Sequence, residues 1–219
     1  KRSLLKMINK AKIIEIKIKN RNLRYKISKN FKKKLVNQKL LNITRRSKYL
    51  IFHFNEFFFL MHLGMTGKLL ANRVKDNKNF KTSFYYDLNI LKKHNHIFFY
   101  LNNGITLIYN DVRRFGFIKI YKNHQVKNIS FLKKLGIEPL SKLFNIKYFK
   151  EFVKNKDKNI KNLLMDQTFL SGLGNIYVNE CLFLSRISPL RSCSNLKHLE
   201  IKKLVYYIKY ILKLSISKG

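Results

Sequence analysis

The stretch from residue 159 to 191, NIKNLLMDQTFLSGLGNIYVNECLFLSRISPLR, constrains the fold of this chain more than any other. Leu163, Leu164, Phe169 and Leu170 recur at a helical spacing, which predicts a helix over 160–168. Ser171-Gly172-Leu173-Gly174-Asn175 breaks it: glycine ends one helix and asparagine caps the next. Ile176, Val178, Leu182 and Phe183 restore the period over 176–185, and Pro189 stops it. The pattern is two helices joined by a glycine-containing turn. Amides left open at a helix start, behind two flexible glycines, form an anion site.

Charge names the anion. The 219 residues carry 47 Lys and Arg against 11 Asp and Glu, a formal charge of +36. Such an excess attracts polyanions, so nucleic-acid phosphate is the expected ligand. The charge sets the sign and class of the partner rather than a site. The whole sequence is crowded with Lys, Asn, Ile, Phe and Tyr, lacks Trp and holds only 8 Gly and 2 Pro, so many lysines are solvated surface. Hydrophobic residues make up 46% and aromatics 14%, enough to bury a core in one large or two small domains and to exclude a disordered tail. Cys181 and Cys193 form no CxxC pair, so no metal site is expected in this chain, and a reducing cytoplasm fits. The apolar run 57–63 is too short to span a membrane and 204–216 is interrupted by Lys209 and Lys213, so neither transmembrane helix nor signal peptide is predicted.

Residues 1–9 read as a short basic helix. Alternation then predicts strands at 11–19, 48–54, 57–63, 83–90, 97–101, 105–109 and 116–121, with 22–28 a candidate partner for the first. Asn55-Glu56 and Asn103-Gly104 read as hairpin turns, and 72–81 as a polar, lysine-rich loop. After Tyr121 the period lengthens: 129–135, 146–152 and 199–216 join the opening pair as helices. A domain boundary is expected within 121–130.

Several motifs can carry chemistry. His62-Leu63-Gly64-Met65-Thr66-Gly67 ends a strand on a glycine-framed loop that presents Met65. A flexible apolar side chain there fills the space of an unstacked base, or it packs over the sheet edge, the simpler reading for the motif alone. Asp111-Val112-Arg113-Arg114-Phe115-Gly116 sets two arginines and a ring on a strand-to-strand turn, and Arg113 and Phe115 face the same way in extended chain. Arginine can bond the partner of a displaced base and phenylalanine can slip between base pairs. Equally, Asp111 can pair with an arginine and Phe115 be buried. Thr44-Arg45-Arg46-Ser47-Lys48-Tyr49, ahead of a strand, holds phosphates or is a solvated basic turn. His94-Asn95-His96 has no third and fourth metal ligand nearby, which leaves DNA backbone contact or plain surface. The segment 135–141 reads as an interdomain turn in which Glu138 caps a helix or orders a basic neighbour.

Taken in order, TRRSKYL, HLGMTGKL, KHNH, NDVRRFG, LGIEPLS and MDQTFLSGLGNIYVNECLF resemble the formamidopyrimidine-DNA glycosylase family, bacterial enzymes that remove oxidised purines from DNA. The resemblance runs through almost the whole chain, and HLGM and LGIEPLS favour this branch over the related endonuclease VIII branch. It implies an α+β fold: an N-terminal β-sandwich domain over 1–125, then a helix–two-turn–helix domain over 126–219, with DNA in the cleft between and the damaged base flipped into a pocket. By motif position, Met65, Arg113 and Phe115 match the residues that fill the gap left by the flipped nucleotide. Lys48 matches a lysine of phosphate contact and proton donation. His94, Arg113 and Lys156 match DNA contacts, Lys161 and Asn175 match residues approaching the lesion's phosphates, and Glu180 matches an acid that organises rather than reacts. The implied partner is damaged double-stranded DNA, bound by a monomer.

The resemblance also implies parts that these residues do not supply. The family begins with a proline whose secondary amine attacks the sugar, followed by a glutamate. An N-terminal amine, with a pKa of about 8, is partly neutral and nucleophilic at physiological pH. Here Lys1 and its followers align inside the mature family sequence, so no nucleophile is carried over. Ser217-Lys218-Gly219 falls within the family's glycine-rich segment, ahead of a lesion-capping loop and a C-terminal zinc finger, the one place where the resemblance implies a cofactor. The expectation is a sequence incomplete at both ends. The complete protein is then a glycosylase and AP lyase cutting by β,δ-elimination, and residues 1–219 alone bind DNA without excising a base. The competing reading is a non-catalytic DNA-binding protein that keeps the cleft and not the chemistry. A basic RNA-binding protein is a third, against which HLGM and DVRRFG argue.

Overall fold

Alternating apolar residues become strands wherever a neighbouring strand can cover them. The computed structural model describes residues 1–73, 79–81, 91–154 and 156–218, which form two units, Lys1–Asn128 and Ile129–Gly219. The first holds helices α1 (Arg2–Ile8) and α2 (Phe31–Leu35) and strands β1 (Ile13–Ile18), β2 (Asn42–Arg46), β3 (Tyr49–His53), β4 (Phe57–His62), β5 (Gly67–Arg73), β6 (Asn79–Lys81), β7 (Asn95–Leu101), β8 (Ile105–Asp111) and β9 (Phe117–Lys122). They make two antiparallel sheets, β1-β7-β8-β5-β6 and β2-β3-β4-β9. The sheets share one core, to which Ile16, Ile97 and Leu107 contribute from one side and Ile43, Phe52 and Met61 from the other. Phe59 of β4 stacks on Phe99 of β7 with ring centroids 5.8 Å apart, and Phe31 of α2 packs against both.

Three details depart from simple alternation. In β1, a bulge between Ile13 and Glu15 turns Ile14 outward, 54% exposed, while Ile13 and Ile16 stay buried. Residues 22–28 do not pair with β1, because β7 takes that position. They form a loop closed by an Asn22–Lys26 bridge and by the Arg21 guanidinium, which donates to the carbonyls of Ile27 and Ser28. The basic segment 44–49 is not a turn ahead of a strand but a hairpin joining β2 to β3, with Ser47 and Lys48 at its tip and Ser47 at φ +55°. The expected loop 72–81 gives up its ends to β5 and β6, and the strand expected at 83–90 lies outside the described residues. Both short turns form: Phe54 N–H donates to Phe57 O around Asn55-Glu56, and Gly104 takes φ +76° between β7 and β8, although Asn103 does not share the positive φ that an Asn-Gly hairpin pair suggests.

The second unit is helical: α3 (Ser130–Lys133), α4 (Ile146–Val153), α5 (Ile160–Met165), α6 (Asn175–Ser185) and α7 (His198–Lys218). Its core centres on Phe169, which follows α5. Tyr148 stacks on that ring at 5.7 Å and donates its hydroxyl to Phe169 O, Phe152 lies at 4.5 Å, and Phe149 meets it edge-on at 5.3 Å. Tyr177 of α6 is hydrogen-bonded to Ser215 of α7. Residues 135–141 are part of this unit rather than a turn between domains. Gly136 N–H donates to Gln167 O, Ser171 N–H donates to Ile137 O, and Ile137 bridges Leu170. With two sheets followed by helices, the fold class is α+β.

Truncating Phe169 to Ala removes the ring on which three aromatic neighbours rest. Urea denaturation should show a loss of about 3–5 kcal/mol. A loss below about 1 kcal/mol would show that the unit does not depend on it.

Candidate nucleic-acid interface

Strand register gathers the candidate residues of the first unit at one end of the sandwich. Tyr49 pairs with His62 and His62 with Phe117 in one sheet; Gly67 pairs with Asp111 and Asn95 with Asn110 in the other. At this end the chain crosses between sheets twice, through 63–66 after β4 and through 112–116 after β8. The hairpin tip at Lys48 and a 3-10 turn, Lys92–His94, lie at the same strand ends.

The two crossing loops come into direct backbone proximity. Gly64 takes φ +66°, and a Cβ there would stand 2.6 Å from Gly116 N. A Cβ on Gly116 would collide with the Tyr109 hydroxyl. Only glycine permits this approach. Beneath the loops Asp111 is fully buried. Its carboxylate accepts from Thr66 Oγ1 at 2.5 Å, from the Tyr109 hydroxyl at 2.9 Å and from Gly116 N–H at 2.9 Å. Burial and the neighbouring carboxylate push the Tyr109 phenol well above its usual pKa, so it remains a donor. Thr66 Oγ1 in turn accepts from Arg113 N–H at 3.1 Å.

Above this buried layer stand three exposed side chains. Met65 is 67% exposed and Phe115 46% exposed, and the Arg113 guanidinium lies 4.4 Å over the Phe115 ring and 3.5 Å from Met65 Sδ. The chain here is not extended, since Arg114 takes φ +57°, but Arg113 and Phe115 still meet. The alternative of a buried Phe115 and an Asp111–arginine pair is not what forms: Phe115 is outside, and Asp111 is held by hydroxyls and an amide. Two apolar side chains kept in water around one guanidinium form a surface ready to be covered.

Lys48 stands at the surface, but surrounding protein partly desolvates its ammonium and lowers its pKa below the ordinary lysine value. Its charge joins burial, and the charge of Arg24, in lowering the pKa of His62. The His62 ring lies between Tyr49 and Phe117, and its Nδ1 accepts from Gly64 N–H at 3.0 Å, which leaves the neutral ring's proton on Nε2. His62 and Arg24 were not singled out from the sequence; His62 was visible there only as the residue before the Leu63-Gly64 break. Of KHNH, His94 is half-buried, whereas Asn95 bonds Asn110 and His96 Nε2 bonds Asp111 O at 2.7 Å.

In the second unit, the turn before α6 is built by two side chains that sequence reasoning passed over. Asp166 accepts from Thr168 N and Oγ1 and from Lys158 Nζ. The Gln167 amide donates to Met165 O and Leu173 O and accepts from Gly172 N–H, with Gly172 at φ +98°. This network ends α5 at Met165, three residues earlier than its apolar spacing predicts. Gly174, not Asn175, is the N-cap of α6. Asn175 is the first helical residue, exposed, and the first turn has neither a side-chain cap nor an acid. Its amides and the helix dipole therefore present positive potential. Lys161 is half-buried on α5, Lys156 is exposed between α4 and α5, and Glu180 is exposed on α6.

Cys181 and Cys193 are buried in the helical core. Burial, with the Glu180 charge, pushes the Cys181 thiol up to about 12, and burial raises Cys193 as well. Among the described residues no three His, Cys, Asp or Glu side chains gather to hold a metal ion, so the zinc that the family resemblance implies finds no fit on these cysteines. No described helix is long and apolar enough to cross a membrane.

Known proteins share this arrangement. The formamidopyrimidine-DNA glycosylase N-terminal domain matches residues 1–118, and the formamidopyrimidine-DNA glycosylase H2TH domain matches residues 135–219. The formamidopyrimidine-DNA glycosylase of Rickettsia conorii is 40% identical over 209 residues, covering 94% of this chain and 71% of that protein. That of a Wolbachia species from Drosophila simulans is 38% identical over 217 residues, 99% of this chain and 74% of that protein. A structure of the Lactococcus lactis Fpg protein with abasic-site DNA superimposes with a TM-score of 0.84 at 32% identity, over 99% of this chain and 75% of that one. A second, with DNA containing Fapy-dG, gives 0.84 at 33% identity, over 99% and 77%.

The desolvated histidine gives a pH signature. His62 binds its proton less readily when folded than when unfolded, so the unfolded chain takes up more protons as pH falls below 6.5. This contribution to stability is therefore intact above pH 6.5 and lost as pH falls below it. An NMR titration should place the His62 midpoint below 6.5; a midpoint above it would contradict the desolvated setting.

Proposed function

Because this chain belongs to the formamidopyrimidine-DNA glycosylase family, we propose that the full-length protein excises oxidised purines, 8-oxoguanine and formamidopyrimidines, from duplex DNA and cuts the strand at the resulting abasic site. Membership makes it a DNA glycosylase of base excision repair. The finer reading rests on one observation, the exposed trio Met65, Arg113 and Phe115 held over a buried carboxylate.

A base inside a duplex exposes neither its glycosidic bond nor C1′ to an enzyme, so the nucleotide must leave the stack. Its departure opens a gap bounded by base faces and by an orphaned partner. Met65 and Phe115 supply apolar bodies for the faces, and the planar, multidentate guanidinium of Arg113 supplies donors for the orphaned base. Lys161, Asn175 and the α6 amides take the phosphates beside the lesion, and His94 and Lys156 take further backbone contacts. The solved Lactococcus relatives carry abasic-site and Fapy-dG DNA, which supports damaged duplex as the partner. The protein acts as a monomer in the bacterial cytoplasm.

In the chemical step a protein amine forms a bond to C1′ while the C1′–N9 bond breaks, and the base leaves with the electron pair. Lys48 donates the proton that neutralises it, a role supported by the partial desolvation that makes its ammonium the more willing acid. Sugar-ring opening gives an iminium. Loss of a C2′ proton then expels the 3′ phosphate, a second elimination expels the 5′ phosphate, and water releases the amine.

Borohydride reduces such an iminium to a stable amine. With 8-oxoguanine duplex, the full-length protein should give a covalent adduct; binding without an adduct would leave only a DNA-binding protein. Substituting Met65→Ala or Arg113→Ala should cut the preference for lesion over undamaged duplex by about tenfold or more, with bulk affinity largely kept. Equal losses on both duplexes would contradict the gap-filling role. Affinity should fall linearly in log–log terms as salt rises; a salt-independent affinity would remove phosphate as the main contact.

A further inference from the structure

Met65 on one crossing loop and Arg113 and Phe115 on the other are far apart in sequence, so something must hold the loops in mutual register. We infer that Asp111, acting through Thr66, is the positioning group of the gap-filling trio, setting where it stands without touching DNA. The inference rests on the proposed gap-filling role and adds to it the device that prepares the trio before DNA arrives.

The carboxylate divides its work between its oxygens. Oδ1 accepts from Thr66 and so holds the loop of Met65, whereas Oδ2 accepts from Gly116 N–H and Tyr109 and so holds the loop of Arg113 and Phe115. An ionised carboxylate only accepts, so the Thr66 hydroxyl must spend its one proton on Asp111. Its lone pair is thereby turned to Arg113 N–H. The direction of every bond follows from the one buried charge. His96 ties the Asp111 carbonyl to β7 through Nε2, so the anchor cannot drift along β8. Asp111 is fully buried, and an ion in that setting is tolerable only with its lone pairs occupied. The cost of breaking one bond therefore falls on loop register.

The test is a double-mutant cycle of Thr66→Val and Arg113→Ala, with Thr66→Ser as the conservative control. The full-length protein is used, and binding is measured to duplexes with and without an abasic-site analogue. T66V should lose about tenfold in lesion preference, with affinity for undamaged duplex kept; T66S should retain the preference; and T66V/R113A should be no worse than R113A alone. Losses that multiply in the double variant, or a T66V protein indistinguishable from wild type while R113A loses preference, would overturn the positioning role. If R113A itself keeps full preference, the gap-filling reading fails first and this inference with it. Should T66V fail to fold, Tyr109→Phe removes a donor to Oδ2 without changing any residue of either loop, and the same outcomes apply to it.

Discussion

A carboxylate removed from water must find its hydrogen bonds inside the protein, and Asp111 finds them where two loops cross between sheets. Much of the first unit's functional end follows from that requirement. Thr66 and Gly116 have to approach the same side chain, so their loops are drawn together until Gly64 and Gly116 come close enough to exclude any side chain between them. What is left over, Met65, Arg113 and Phe115, has nowhere to go but outward. An exposed methionine and phenylalanine around a guanidinium are a poor arrangement for a soluble surface and a suitable one for an opened base stack.

The helical unit solves a related problem by the same means. An anion site at a helix start needs amides that are open yet rigidly aimed. Gln167 spans the turn with three bonds, Asp166 holds its opening, and Phe169 packs the turn to α4, so Gly174 and Asn175 enter α6 from a fixed direction. With no acid in the first turn of α6, no carboxylate of that turn neutralises the amides. In each unit, side chains that would not touch DNA set the stage for those that would, a division seen wherever preorganised polar groups meet a ligand.

Residue types at the site were legible in the sequence; their joinery was not. HLGM and DVRRFG mark Met65, Arg113 and Phe115, but nothing in spacing alone says that residues 65 and 113 meet, because that contact is made by sheet pairing between β5 and β8. Asp111 invited the reading of an arginine partner on charge alone, whereas burial selects neutral donors close by. The strand β5 was missed because only Leu69 and Ala71 face the core and Leu70 between them breaks the apolar–polar alternation, too weak a signal until β8 covers it. Residues 22–28 alternate well enough to pair, yet β7 offers the longer ladder and wins. Helix capping failed by one residue: Asn175 has the capping chemistry, but the turn's latch places Gly174 at the cap. The long amphipathic helix α7 and the hairpin turns were readable because their signals are local.

If the sandwich-end trio enters the DNA stack, the surroundings of the orphaned base must change. The most direct measurement is the fluorescence of 2-aminopurine placed opposite an abasic-site analogue, recorded as the protein binds. If Met65, Arg113 and Phe115 occupy the gap, binding by the wild-type protein should change the emission, and Phe115→Ala should bind the duplex with much of that change lost. The same change from both proteins at equal occupancy would show that the trio stays outside the helix, and would contradict the account.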